Sequence, residues 1–346
     1  SAADPRCWSP PLLGPPNVAD QTEPTHSAYH GPQGWRFIDV YAVLALAGWA
    51  QAGAFDAKEV SADAKWAAHL DVDGLMASNL VKKARAQFFK EHPDAEAKLT
   101  AFCDLFRFDP MTYLHGITIY GTQLKKDTGV AIIRAKVDQK LLLDLVKTRP
   151  EHETAEYGKF ELHSWRKDGE KIDHGAFFKP DVLVLAASTD ELKAALDVLD
   201  GTKPNISEAY ASLASAIPPG AILIAGAKDL AEANLHPESP LSKQADSALL
   251  VIGENQGQVF VRGTLNVKDA EIAKKMKAVA DGALALASLV KSDDADALKL
   301  IESVKVTLAD KSITVEGQAA VDLLWAQLQK EAAKKKAQHH HSHLSH

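Results

Sequence analysis

Cysteine is almost missing from this chain: Cys7 and Cys103 are the only two in 346 residues. So few exclude a disulfide framework and any CxxC-type metal site. An excess of positive charge is missing too. Lys+Arg total 39 against Asp+Glu 46, a formal net charge of -7, so no long-range field draws the chain to phosphate backbones and nucleic acid is not an expected partner. The uncharged run Val40–Phe55 falls short of the roughly 20 apolar residues that cross a bilayer, so no stable span is expected in the mature form. The nucleotide-binding and hydrolase signatures are absent: no GxxxxGK[ST], no GxGxxG after a strand, no G-x-S-x-G elbow. His152-Glu153 opens like a zinc-protease helix, but Glu156 stands where the second histidine belongs.

What is present is enough apolar residue, 46%, to build a core, preceded by a segment of different character. Residues 1–35 are rich in Pro and Gly without a periodic apolar face and read as a disordered or spurious extension. Residues 36–52 read as a signal peptide: Arg36, an apolar stretch, and Ala50-Gln51-Ala52 as an A-x-A cleavage site before Gly53. The expected mature chain starts near Gly53 and is exported, periplasmic or secreted. Cys103 falls in the helical stripe Ala95, Leu99, Phe102, Phe106, which predicts a buried, inert thiol.

Beyond Lys65 short strands alternate with amphipathic helices. Residues 65–76 read as a strand and turn, followed by helices at about 79–91 and 94–107, with Leu80, Ala84 and Phe88 on one face. Strands His115–Tyr120 and Gly129–Val137 are joined by a turn at Lys125-Lys126-Asp127. Asp138 caps a helix burying Leu141, Leu142, Leu145 and Val146. A hairpin through Asp168-Gly169 joins 159–166 to 171–178, and Val182–Ala187 follows. Ser188 and Glu191 form a capping box for a helix burying Leu192, Ala195, Leu196 and Leu199, with Gly201 as its stop. The second half repeats that order. Ala221–Leu230 answers the opening strand; 247–253 and 258–267 answer the pair at 115–120 and 129–137; 304–308, 313–317 and the helix 320–328 answer 173–178, 182–187 and 189–199. The expected organisation is a first α+β module at 60–201, a connector at 202–219, a second module at 220–330 and a flexible Lys/His tail at 331–346. The fold class is α+β: two tandem related modules of antiparallel sheet with helices packed on one face.

Candidates for chemistry are sparse. His163 and His174 flank the Asp168-Gly169 turn, with His115 on another strand, and three histidines on a sheet can hold zinc. Asp71-Val72-Asp73-Gly74 resembles the start of a calcium loop, yet its twelfth position is Lys82, where a bidentate Glu is required. Glu153, Glu156 and Glu161 read as surface charge, and His339, His340, His341, His343 and His346 as a tail with incidental metal affinity.

The stretch from Asp71-Val72-Asp73 through Phe108-Asp109-Pro110 and Glu156-Tyr157-Gly158 to His163-Ser164-Trp165, with Ala194–Gly201 and Pro218-Pro219-Gly220-Ala221, resembles uncharacterised exported bacterial proteins, hypothetical proteins common in planctomycete- and verrucomicrobia-type genomes. The resemblance covers roughly residues 60–330. It implies export and an α+β fold and carries over no catalytic, cofactor or metal residue. The resulting expectation is a non-catalytic binding or structural protein of the bacterial cell envelope, meeting an envelope protein or small ligand. Its rival is a metal-dependent hydrolase using His115, His163 and His174.

Overall fold

The computed structural model describes residues 53–124, 128–166, 172–214, 217–231 and 242–343. The extension, the signal-peptide run, and the turns at Lys125-Lys126-Asp127 and Asp168-Gly169 lie outside these residues. The described residues from Gly53 onward form one compact unit.

A strap from Gly53 through the 3-10 turn Ala57–Glu59 leads into β1 (Trp66–Asp71). The carboxylate of Asp71 accepts from the Gly74 N–H at 2.8 Å and caps α1 (Val72–Ala77). The expected strand-and-turn at 65–76 is therefore half helix, and the calcium-like Asp71 is an N-cap. Next come α2 (Asn79–Glu91), α3 (Pro93–Phe106) and the short α4 (Pro110–Tyr113). Cys103 is buried as expected, but Ala84 and Phe88 are exposed, so the α2 stripe is largely uncovered. The first half continues with β2 (Leu114–Gly121), β3 (Val130–Ala135), α5 (Gln139–Lys147), β4 (Glu153–Tyr157), β5 (Phe160–Arg166), β6 (Ile172–Lys179), β7 (Val182–Ala186) and α6 (Thr189–Leu199). After α7 (Ser207–Ala214) come β8 (Ala221–Lys228), β9 (Ala245–Asn255), β10 (Gln258–Val267), α8 (Ala270–Val290), α9 (Ala295–Glu302), β11 (Lys305–Ala309), β12 (Ser312–Ala320) and α10 (Val321–His343). Helix α10 runs on through most of the expected tail.

The capping box at α6 is made in one direction. Ser188 Oγ accepts from the Glu191 N–H at 3.3 Å, while the Glu191 carboxylate accepts from Ser188 Oγ and from the Gly129 N–H, each at 3.0 Å. It thereby ties the helix to the residue that precedes β3. Gly201 ends the following turn at φ +79°, a conformation that costs glycine little.

The twelve strands among the described residues make one sheet with every pairing antiparallel, in the order β11-β12-β10-β9-β8-β1-β2-β3-β7-β6-β5-β4. Outward from the β1–β8 seam the succession is the same on both sides: β1-β2-β3-β7-β6 one way, β8-β9-β10-β12-β11 the other. In the first half β5 and β4 extend the edge.

Directly paired residues share a face, so the register traces two rows across the sheet. One runs Ala176, Val184, Ile132, Thr118, His69, Ile224, Val251, Arg262, Glu316, Lys305. The other runs Gly175, Leu185, Ala131, Ile119, Ala68, Ala225, Leu250, Gly263, Val315, Val306. On the His69 face, Leu192, Ala195 and Leu196 of α6 join Ile132, Val184, Ala176 and Leu162 in the main core. On the Ala68 face, Leu142, Leu143 and Val146 of α5 lie over Leu183 and Leu185, and Ile272, Ala273 and Met276 of α8 pack on Leu265, Leu308 and Ile313. Helices thus cover both faces, not one. The reason is in β3 and β7: apart from Arg134, VAIIRA and VLVLA are apolar on both sides, and a strand apolar on both sides needs cover on both.

Candidate functional site

Two pockets lie back to back against the seam strands. The larger, on the Ala68 face, is a groove of about 720 Å³ between the sheet and α8. Its floor is made of small residues, Ala68, Ala225, Ala227, Ala248 and Gly263, and its roof carries Ala280 and Ala283. Asp269 starts the roof helix by accepting from the Glu271 and Ile272 N–H groups at 2.7 and 3.3 Å. Ala273 is fully buried, but Val279, Leu286, Leu289 and Val290 further along are exposed. Small side chains on both sides leave the space between them unfilled, and Trp66, Leu250, Leu265, Ile313 and Val315 close its sides.

Gly263 shows how open the groove is. A Cβ built there meets nothing within 4 Å, and a strand-interior glycine with free space above it marks a place where another molecule can approach the backbone. The volume falls within the ordinary range for ligand sites, and such sites are predominantly apolar. No ionisable side chain is among the described residues of this lining, so the groove suits an apolar molecule.

The second pocket, about 480 Å³, lies on the His69 face. Phe55 and Val60 of the strap, Ile206 and Tyr210 of the α7 region, and Ala67, Ile224 and Gly226 of the sheet line it. The Phe55 ring packs against His69 and edge-on against Tyr210, with centroids 5.4 and 4.9 Å apart. Beneath it runs a buried polar chain. His69 Nε2 lies 2.7 Å from the Gly53 carbonyl oxygen, and His69 Nδ1 lies 3.0 Å from Thr118 Oγ1. Thr118 Oγ1 lies 3.2 Å from Glu59 Oε2, and Glu59 Oε1 meets the Arg134 guanidinium at 2.5 Å, with Asp56 behind it at 3.7 Å. Burial pushes Glu59 above the usual carboxylate range against the pull of Arg134. Burial likewise pushes His69 below the usual imidazole range. Nothing in the sequence singled out this chain, because its members sit on the strap, β1, β2 and β3.

The three histidines expected to hold zinc are not brought together. His163 pairs with Gly175 and Ser164 with His174, so His163 and His174 point to opposite faces of the sheet. His115 is on β2, and β3, β7 and β6 stand between it and β5, a separation of roughly 19 Å at the usual strand spacing. Each histidine has its own partner. His115 Nδ1 lies 3.0 Å from Asp73 Oδ1; His163 Nδ1 lies 3.2 Å from His152 Nε2; His174 Nδ1 lies 2.8 Å from Ser164 Oγ and 3.2 Å from Thr189 Oγ1. Burial lowers both His163 and His174 below the imidazole range. Among the described residues no group of three or more His, Cys, Asp or Glu is placed to hold a metal ion. Glu153, Glu156 and Glu161 lie on the β4–β5 edge, exposed as expected.

Among the described residues no helix is long and apolar enough to cross a membrane. No family model and no curated protein matches the chain. Solved structures similar to it include crystal forms III and IV of the protein TP0453. Form III has a TM-score of 0.44 at 9% identity, covering 80% of this chain and 98% of that one. Form IV has a TM-score of 0.44 at 8% identity, covering 81% and 99%.

Proposed function

We propose that this chain is a non-catalytic binding protein of the bacterial cell envelope whose ligand is an apolar molecule seated in the groove beneath α8. The observation that carries the reading is the unfilled space over Gly263, floored by alanines and roofed by Ala280 and Ala283. Each methylene transferred from water to such a surface contributes roughly 0.8 kcal/mol, so even a short hydrocarbon has a substantial driving force. Export rests on the leader-like residues 36–52 and the resemblance to exported planctomycete-type proteins, and the matching succession of strands supports an origin of the two halves in one module.

The test is titration of the purified full chain with a naphthylamine probe that fluoresces in apolar surroundings. Gly263→Leu and Ala280→Leu fill the groove from opposite sides and are expected to weaken binding at least tenfold while the protein melts no lower. Unchanged affinity in both variants defeats the assignment to this groove. Turnover of an ester, phosphate or glycoside by the purified protein defeats the non-catalytic reading. N-terminal sequencing of protein from the envelope fraction is expected to begin Gly53-Ala54-Phe55, and a start inside 1–52 defeats the processing step.

A further inference from the structure

We propose that His69 and Glu59 hold a single proton between them through Thr118, and that this proton fastens the strap Gly53–Val60, a wall of the second pocket, to the sheet. The argument is a count of donors. The Gly53 carbonyl can only accept, so the 2.7 Å contact requires a hydrogen on His69 Nε2. Thr118 has one hydroxyl hydrogen and two polar neighbours, His69 Nδ1 at 3.0 Å and Glu59 Oε2 at 3.2 Å. It can donate to only one of them, so the other must donate to it.

Two arrangements satisfy every atom. In one, His69 is an imidazolium and Thr118 donates to the Glu59 carboxylate. In the other, His69 is neutral and donates to Gly53, Thr118 donates to Nδ1, and a protonated Glu59 donates to Thr118. Both hold one proton beyond the Nε2 hydrogen. With none, two lone pairs face each other across Thr118; with two, the threonine hydrogen has no acceptor. A buried polar atom left without its partner costs roughly 1–3 kcal/mol.

The surroundings fit shared possession. Arg134 and Asp56 face Glu59, with Tyr120 of β2 nearby; Asp71 on the same strand and Arg134 on β3 face His69, and Tyr210 of α7 closes the far side through the Phe55 ring. Burial raises one group and lowers the other, so their proton affinities move toward each other. The strap is held to this chain through the Gly53 carbonyl at one end and the Glu59 carboxylate at the other.

Hydrogen exchange of the full chain without ligand tests the proposal, so its failure is distinguishable from failure of the ligand reading. Protection of the Glu59 and Val60 amides is followed from pH 4 to 9, corrected for chemical exchange and normalised to α6. The wild type is expected to pass through a maximum and lose about tenfold on each side, the fold-change of one unsatisfied bond. Thr118→Val is expected to give a flat, lower profile. Glu59→Gln is expected to lose the maximum and fall only on the acid side: Arg134 takes the amide oxygen, the NH2 group donates to Thr118 and Thr118 to neutral His69, an arrangement that fails only when His69 is protonated. A flat wild-type profile, or a maximum that survives in either variant, overturns the proposal. Should Thr118→Val not fold, the wild type and Glu59→Gln decide it alone.

Discussion

Glu254, at the tip of the β9–β10 hairpin, reaches across the seam to the start of α2. Its carboxylate accepts from Ser78 Oγ at 2.6 Å, the Asn79 N–H at 3.0 Å, Asn79 Nδ2 at 2.7 Å and the Leu80 N–H at 3.1 Å. Ser78 in turn accepts from the Val81 N–H at 3.3 Å. One carboxylate thus serves the orphan donors of a helix N-terminus, where negative charge is favoured by the helix dipole. Burial pushes Glu254 up, but these hydrogen bonds outweigh it and hold the group below the usual carboxylate range. Hydrogen bonds to a charged group are worth about 1.5–3 kcal/mol net, and a site this close to solvent belongs near the lower end. Glu254→Gln is therefore expected to cost about 2 kcal/mol at pH 7. The sign follows from linkage: a group with a depressed folded value stabilises the fold above its unfolded pKa, and that stability is lost as pH falls through the folded value. Denaturant melts of wild type and variant from pH 7 to 3 are expected to show a gap that closes below about pH 4. A gap that keeps its size to pH 3, or is missing at pH 7, refutes the reasoning.

Two further outcomes are expected. Leu196→Ala removes a fully buried α6 side chain from the core around Ile132 and Val184, and is expected to cost about 3–4 kcal/mol in a urea melt; a loss under 1 kcal/mol would mean that α6 is not seated as described. His115→Ala and His163→Ala are each expected to leave the zinc content of the purified chain unchanged, and a drop of one equivalent in either would restore a metal centre.

The sequence was most legible where local chemistry decides the outcome. Asp138 caps α5 by accepting from the Leu141 N–H at 3.0 Å, and the Ser188 cap and Gly201 stop fall where capping rules put them. Strand β4 was missed because Glu153–Tyr157 is exposed at four of its five positions and so shows no alternation. Helix α1 was missed because Val72 follows the strand directly, and only the Asp71–Gly74 contact shows that Asp71 is a cap. Cover on both faces was readable in the apolar runs of β3, up to Arg134, and β7, but alternation elsewhere argued for a one-sided sheet. The polar chain beneath the second pocket was invisible: Thr118 lies 49 positions from His69 and 59 from Glu59, strand register joins the first two, and only the course of the strap brings Glu59 to them. The small residues flooring the groove were on view, but a run of alanines in a strand acquires meaning only when its neighbours across the sheet are small too.

The seam between β1 and β8 has a consequence for how the chain is made. During synthesis β1 finds β2 soon after it emerges, but its other edge waits until the whole first half has been translated before β8 arrives. For that interval Trp66–Asp71 is an open edge with unpaired backbone donors and acceptors, the kind of surface on which unfinished chains join one another. Pairing with β8 is what closes this edge.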